Sequence, residues 1–119
     1  MHLHQHCNYI NQLLGSYLIE VDASFHFFTE RALQDLQRLR DFLKSKAPEA
    51  AKRAGLTIQA AIKLLERQPL MAPPALNMPE HYRDLTIEFG DSGFVARYHF
   101  DGGDVVVVVA IRHQKEAGF

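Results

Sequence analysis

Seven consecutive apolar residues, Val105 to Ile111, limit what this chain can fold into more than any other feature. The run is far short of the roughly 20 residues that a membrane-spanning helix needs. It reads instead as a strand, but a strand with one wet face alternates apolar and polar side chains, and this one does not. Each valine left in water would forgo about 1.5 to 3 kcal/mol of burial. The strand therefore needs cover on both sides, and two sources are open: the N-terminal segment folding over it, or a second protein.

The residues before it supply two partner strands. Leu85, Ile87 and Phe89 alternate with Asp84, Thr86 and Glu88; Gly90 to Gly93 read as a turn; Phe94, Ala96, Tyr98 and Phe100 alternate with Val95, Arg97 and His99. Asp101 to Asp104 turn again, and Val105 to Arg112 complete a three-strand antiparallel meander. Pro69, Pro73, Pro74 and Pro79 forbid regular structure between Gln68 and Glu80. Upstream of that loop the period is helical. Thr29 offers an N-cap, Glu30 sits where a carboxylate suits the helix dipole, and Leu33, Leu36, Leu39 and Leu43 form a stripe ending near Ser45. Pro48 opens a second helix, whose buried stripe runs through Ala50, Ala51, Ala54, Ile58, Ala61, Ile62 and Leu65. So short a connection makes the two helices an antiparallel hairpin facing one core. Tyr17 to Val21 and Phe25 to Phe28 read as extended pieces before it. The expected fold is α+β: a small antiparallel sheet with an N-terminal strand, a helix hairpin on one face and a C-terminal three-strand meander.

A chain of 119 residues fits one domain, burying roughly two thirds of its unfolded surface. We assign residues 17–119 to that domain and residues 1–16 to an N-terminal extension. His2, His4 and His6 alternate in the extension, followed by Cys7, and if extended the three imidazoles would share a face and could take up a soft or borderline metal. No carboxylate lies near them and chain ends are poorly ordered, so they read as a loose leader, and neither a metal nor a cofactor is expected. The single cysteine excludes an internal disulfide and suits a reducing compartment. Without the basic cluster of a signal peptide, the expected location is cytoplasmic. The net charge of −1 does not argue for a polyanion, although residues 29–67 hold nine Lys and Arg against five Asp and Glu.

Phosphate loops, zinc spacings and nucleophile elbows are all missing. What remains is a polar cluster: Arg97 and His99 on the middle strand, then Arg112, His113, Gln114, Lys115 and Glu116 after the last. Parity puts Arg97 and His99 on the face opposite Phe94, Ala96 and Tyr98. Arginines that bind phosphate beside a histidine that moves protons would suffice for RNA cleavage through a 2′-hydroxyl. The alternative is a solvated strand face and a polar terminus. Five consecutive polar residues after a buried strand are expected to emerge together at the sheet rim.

The ending Arg112-His113-Gln114-Lys115-Glu116-Ala117-Gly118-Phe119 resembles the RHQREAGY-like terminus of ParE-type toxins in the RelE/ParE superfamily. The resemblance extends through both helices and Tyr82 to Gly90, covering roughly residues 25–119. It implies a bacterial toxin neutralised by an antitoxin, ParD-like or other, whose C-terminal segment wraps it and would supply the missing cover. ParE-type members are associated with inhibition of DNA gyrase, whereas RelE-type relatives cut messenger RNA in the ribosome. The fold cannot choose between them. Beyond the loop this chain has only Arg83, Arg97, Arg112 and Lys115, sparse for a ribosomal RNA partner. Phe119 also stands where many relatives have a tyrosine, removing one acid/base hydroxyl. The expectation is therefore a gyrase inhibitor without nuclease chemistry, whose candidate target or antitoxin contacts are Arg97, Arg112, His113, Gln114, Lys115, Glu116 and Phe119. The alternative is a nuclease using Arg97, His99, Arg112 and His113. Met71-Ala72-Pro73 departs from the Gly-Arg-Pro common in relatives, and Asp84 replaces the usual glutamate.

Overall fold

The computed structural model describes residues 25–116 and 118–119. Its elements run β1 (Phe25–Phe28), α1 (Glu30–Lys46), α2 (Pro48–Arg67), β2 (Tyr82–Phe89), β3 (Ser92–His99) and β4 (Val105–His113). Tyr17 to Val21 and the histidines of the N-terminal extension lie outside the described residues. Helix α1 begins at Thr29, whose hydroxyl accepts the Ala32 N–H, with Glu30 in the first turn and Lys44 and Lys46 in the last. Pro48 starts α2, which buries Ala51, Ala54, Ile58, Ile62 and Leu65 against the sheet. None of the described helices is long and apolar enough to cross a membrane.

The sheet order is β1-β4-β3-β2. β2, β3 and β4 are the expected antiparallel meander, but β1 pairs with β4 in parallel, so the sheet is mixed and not uniformly antiparallel. The helix hairpin between β1 and the meander returns the chain to the sheet edge in the direction that parallel pairing needs. The first turn is shorter than the glycines suggest. Only Gly90 and Asp91 lie between Phe89 and its partner Ser92, and Gly93 belongs to β3. Gly90 takes φ 62°, which the first central position of a two-residue hairpin turn demands and a side chain resists.

The valine run is accommodated by a change of register. Arg97 pairs with Ala110 and Tyr98 with Val108, so Val109 is an extra residue, a bulge. Before it, Val106 and Val108 face the helices; after it, Ile111 does, and all three are fully buried beside Phe28, Phe94, Ala96 and Tyr98. Val105, Val107 and Val109 are only half-buried. The apolar run is thus partly a consequence of the bulge, which uses both parities of one strand to fill a single core.

Because β1 stops at Phe28, the edge of β4 beyond Val108 has no strand beside it among the described residues, and α1 with its N-cap closes that edge with side chains. Thr29 donates its hydroxyl to Val109 O (3.1 Å), Asp35 accepts the Ile111 N–H (3.0 Å), and Arg38 donates to Ile111 O (3.4 Å). Asp35→Ala would strand a part-buried N–H, and we expect it to lower the unfolding free energy by about 1–3 kcal/mol. Urea denaturation checks this; an unchanged midpoint would show that water satisfies the edge equally well.

Tyr98 joins this core to the proline loop through its hydroxyl, which donates to Pro69 O at 2.7 Å. Burial raises the phenol's pKa, outweighing the opposing effects of the Ala72 backbone and the positive charge of Arg83. The folded chain therefore holds this proton above the ordinary phenol pKa of about 10, where the unfolded chain loses it, so stability is full below that pH and falls as the pH rises beyond it. Alkaline unfolding followed by circular dichroism is expected to move to higher pH in Tyr98→Phe.

Candidate functional site

Parity and the bulge decide where each polar residue goes. Arg97, His99 and Arg112 lie on the sheet face away from the helices, alongside Tyr82, Asp84 and Val95. Asp84 is the direct cross-strand partner of Arg97. Its two oxygens accept from Arg97 Nε (2.8 Å) and Nη2 (3.0 Å), a bidentate pair, and this hydrogen bonding raises the guanidinium's pKa against the smaller opposing effect of burial.

Phe119 covers the pair. Gly118, at φ 116°, takes a backbone conformation closed to most side chains. The ring of Phe119 lies 4.2 Å from the Arg97 guanidinium carbon and 5.1 Å from that of Arg112. Arg112 Nη1 donates to the carbonyls of His113, Gln114 and Glu116, holding the C-terminal turn against the sheet. Its Nε is buried without an acceptor among the described residues. His99 points to Tyr82, 5.0 Å between ring centres, and to His81 at 5.9 Å.

His113 does not join them. It pairs with Phe94, packs edge-on against that ring at 5.7 Å, and so faces the helices. The Lys115 N–H donates to His113 Nδ1 (3.1 Å), which leaves Nε2 to donate to Ser92 Oγ (3.1 Å), the pattern of a neutral ring used as a peg. Glu116 turns the same way: it accepts from His113 N (2.7 Å) and Arg38 (2.5 Å). His113, Lys115 and Glu116 line one side of a concavity of about 620 Å³ whose other side is Arg38, Leu39, Phe42 and Lys46 of α1. Phe42 is 56% exposed there. Gln114 sits between the two surfaces, its N–H held by Gly93 O.

The polar block does emerge at the rim, but the pleat divides it. Arg97, His99, Arg112 and Phe119 form one surface and His113, Lys115 and Glu116 another. Of the four nuclease candidates, Arg97, His99 and Arg112 share one face and His113 does not join them. Asp84, Ser92 and Arg38, which fix the cluster, escaped sequence reasoning. Counting the turn as Gly90 to Gly93 sets Asp84 opposite His99, whereas the two-residue turn sets it opposite Arg97.

The domain is thus α+β with its helices on one sheet face, while the other face bears Arg97 paired with Asp84 and Arg112 held on backbone carbonyls, both under Phe119. Residues 27–118 match the family model of the ParE toxin of the type II toxin-antitoxin system parDE, and the chain belongs to that family. It is 38% identical over 87 residues to Toxin RelE3 of Caulobacter vibrioides, covering 72% of this chain and 89% of the relative. Its fold is also that of a chain from the chromosomal ParDE toxin-antitoxin system of P. aeruginosa, with a TM-score of 0.63 at 22% identity over 76% of this chain and 96% of the other. Membership implies an antitoxin partner.

Proposed function

We propose that this toxin acts by occupying a protein target, DNA gyrase, and not by cutting RNA, and that a ParD-like antitoxin neutralises it in the cytoplasm. The observation that carries this reading is the separation of His113 from Arg97 and Arg112 by the thickness of the sheet, with the ring engaged at both nitrogens. A general acid or base must reach the proton it moves, and this one is turned toward Ser92 and the Lys115 backbone. Phosphate recognition is also impeded: Asp84 holds Arg97 by both oxygens and Phe119 lies over both guanidinium groups. What the open face offers instead is an aromatic ring on two arginines, the kind of group that anchors a protein interface.

Purified toxin is expected to block gyrase supercoiling, or to trap cleaved DNA, while messages in a translating extract stay intact. Phe119→Ala should weaken that block at unchanged thermal stability. Unimpaired supercoiling at toxin excess would overturn the reading. The name of the relative Toxin RelE3 keeps a ribosome-dependent messenger-RNA endonuclease as the alternative. On that reading Arg97 and Arg112 hold phosphate while His99, which shares their face, moves the proton. Message cleavage lost in His99→Ala and retained in His113→Ala would establish it.

A further inference from the structure

A second cavity, of about 420 Å³, opens between the proline loop and the turn joining β3 to β4, and adjoins the Arg97–Phe119 face through His81 and Tyr82. We propose that it receives an arginine or lysine side chain presented by an extended segment of a protein partner.

Its lining sets the chemistry of the guest. Leu70, Pro74, Met78, Tyr82 and Phe100 give an apolar and aromatic wall, and Glu80 and Asp101, both exposed, add two carboxylates. Arg83 in the lining is held on Ala72 O at 2.5 Å and keeps its charge, which the carboxylates of Glu80 and Asp101 outweigh. Asp104, in the same turn as Asp101, adds a further exposed negative charge. A phosphate or carboxylate guest meets a repelling field, and a purely apolar guest leaves the carboxylates unused. A long apolar stem with a cationic tip satisfies both parts, the stem against the wall and the tip between the carboxylates and the aromatic rings.

The cavity is built without its guest. Asn77 (φ 59°) and His81 (φ 76°) hold left-handed backbone that neither gains from intrinsically. Four backbone-anchored bonds keep it so: Ala75 N to Tyr82 O, Asp84 N to Pro73 O, Phe100 N to His81 O, and the Tyr98 hydroxyl to Pro69 O. A guest entering a preformed cavity does not have to order it. On the same loop Leu70 is 62% exposed and Leu76 84%. These side chains offer contacts to residues on either side of the cation, which is why a polypeptide segment suits the site better than a free amine.

The test is independent of whether gyrase is the target. The full chain, labelled with ¹⁵N, is titrated with acetyl-Leu-Arg-Leu-amide and with the same peptide carrying citrulline, which keeps the shape and removes the charge. Saturable shifts are expected at residues 78–83 and 100–102, with the citrulline peptide about fivefold weaker, as two exposed carboxylates warrant. The Glu80→Gln/Asp101→Asn variant should lose the same factor at an unchanged thermal midpoint, because asparagine keeps the oxygen that accepts the Gly103 N–H. Equal binding of the two peptides, shifts elsewhere, no saturable shift, or full affinity in the double variant would each overturn the proposal.

Discussion

Glu66→Ala is expected to cost about 3–5 kcal/mol of unfolding free energy, a large fraction of the stability of a domain this size. Glu66 lies in the last turn of α2, 2% exposed, and its carboxylate meets Nδ1 of His26 on β1, which is equally buried. The bond ties the edge strand to the helix above it. Removing one partner leaves a polar ring or carboxylate in the core without its counterpart, and the cost is mostly that of the group left behind. His26→Ala should therefore cost a similar amount and Glu66→Gln less, since the amide still offers His26 a hydrogen bond. Replacing both by leucine should cost less than either truncation alone. Urea denaturation of the four variants measures all of these; a Glu66→Ala midpoint equal to that of the parent would show that the pair contributes nothing.

Gly93→Ala is the second large effect, about 3 kcal/mol, at the upper end of what overpacking typically costs. A Cβ built on Gly93 would lie 2.0 Å from the backbone oxygen of Ile87, and also 3.0 Å from that residue's carbonyl carbon. Both are backbone atoms of the neighbouring strand, so no rotamer change relieves the clash. The β2–β3 hairpin must open, and with it the Gly93 carbonyl that holds Gln114 at the start of the C-terminal turn. Thermal unfolding measures the loss of stability, and gyrase inhibition should fall in step if the turn's placement matters to the target. A thermal midpoint within a degree or two of the parent would mean that the hairpin absorbs a methyl group.

The elements that were legible in the sequence are those whose signal is local. Thr29, Pro48 and the two leucine- and alanine-rich stripes place the helices, and the alternation from Leu85 onward places the meander, because each pattern reports a period of its own backbone. The parallel partner of β1, the bulge at Val109 and the His26–Glu66 pair were not legible, because they depend on residues far apart. Yet the last had left a trace: His26 shares its parity with Phe28, and Glu66 follows Leu65 on the buried stripe, so each polar residue stood in a core position awaiting the other. The site was legible as a list and not as a geometry. The polar ending marks the residues, but only the pleat shows that Arg112 and His113 go to opposite sides, and only the two-residue turn brings Asp84 to Arg97.

The parallel pairing of β1 with β4 also bears on the order in which the molecule assembles. Phe25 lies beside Val105, 80 positions later, with the helix hairpin, β2 and β3 between them. During synthesis β1 and its histidine have no strand to lie against until β4 has emerged, and contacts so distant in sequence form slowly. A nascent chain therefore keeps β1 unpaired until its last strand has emerged, so the sheet is completed by a contact between the first and last of its strands.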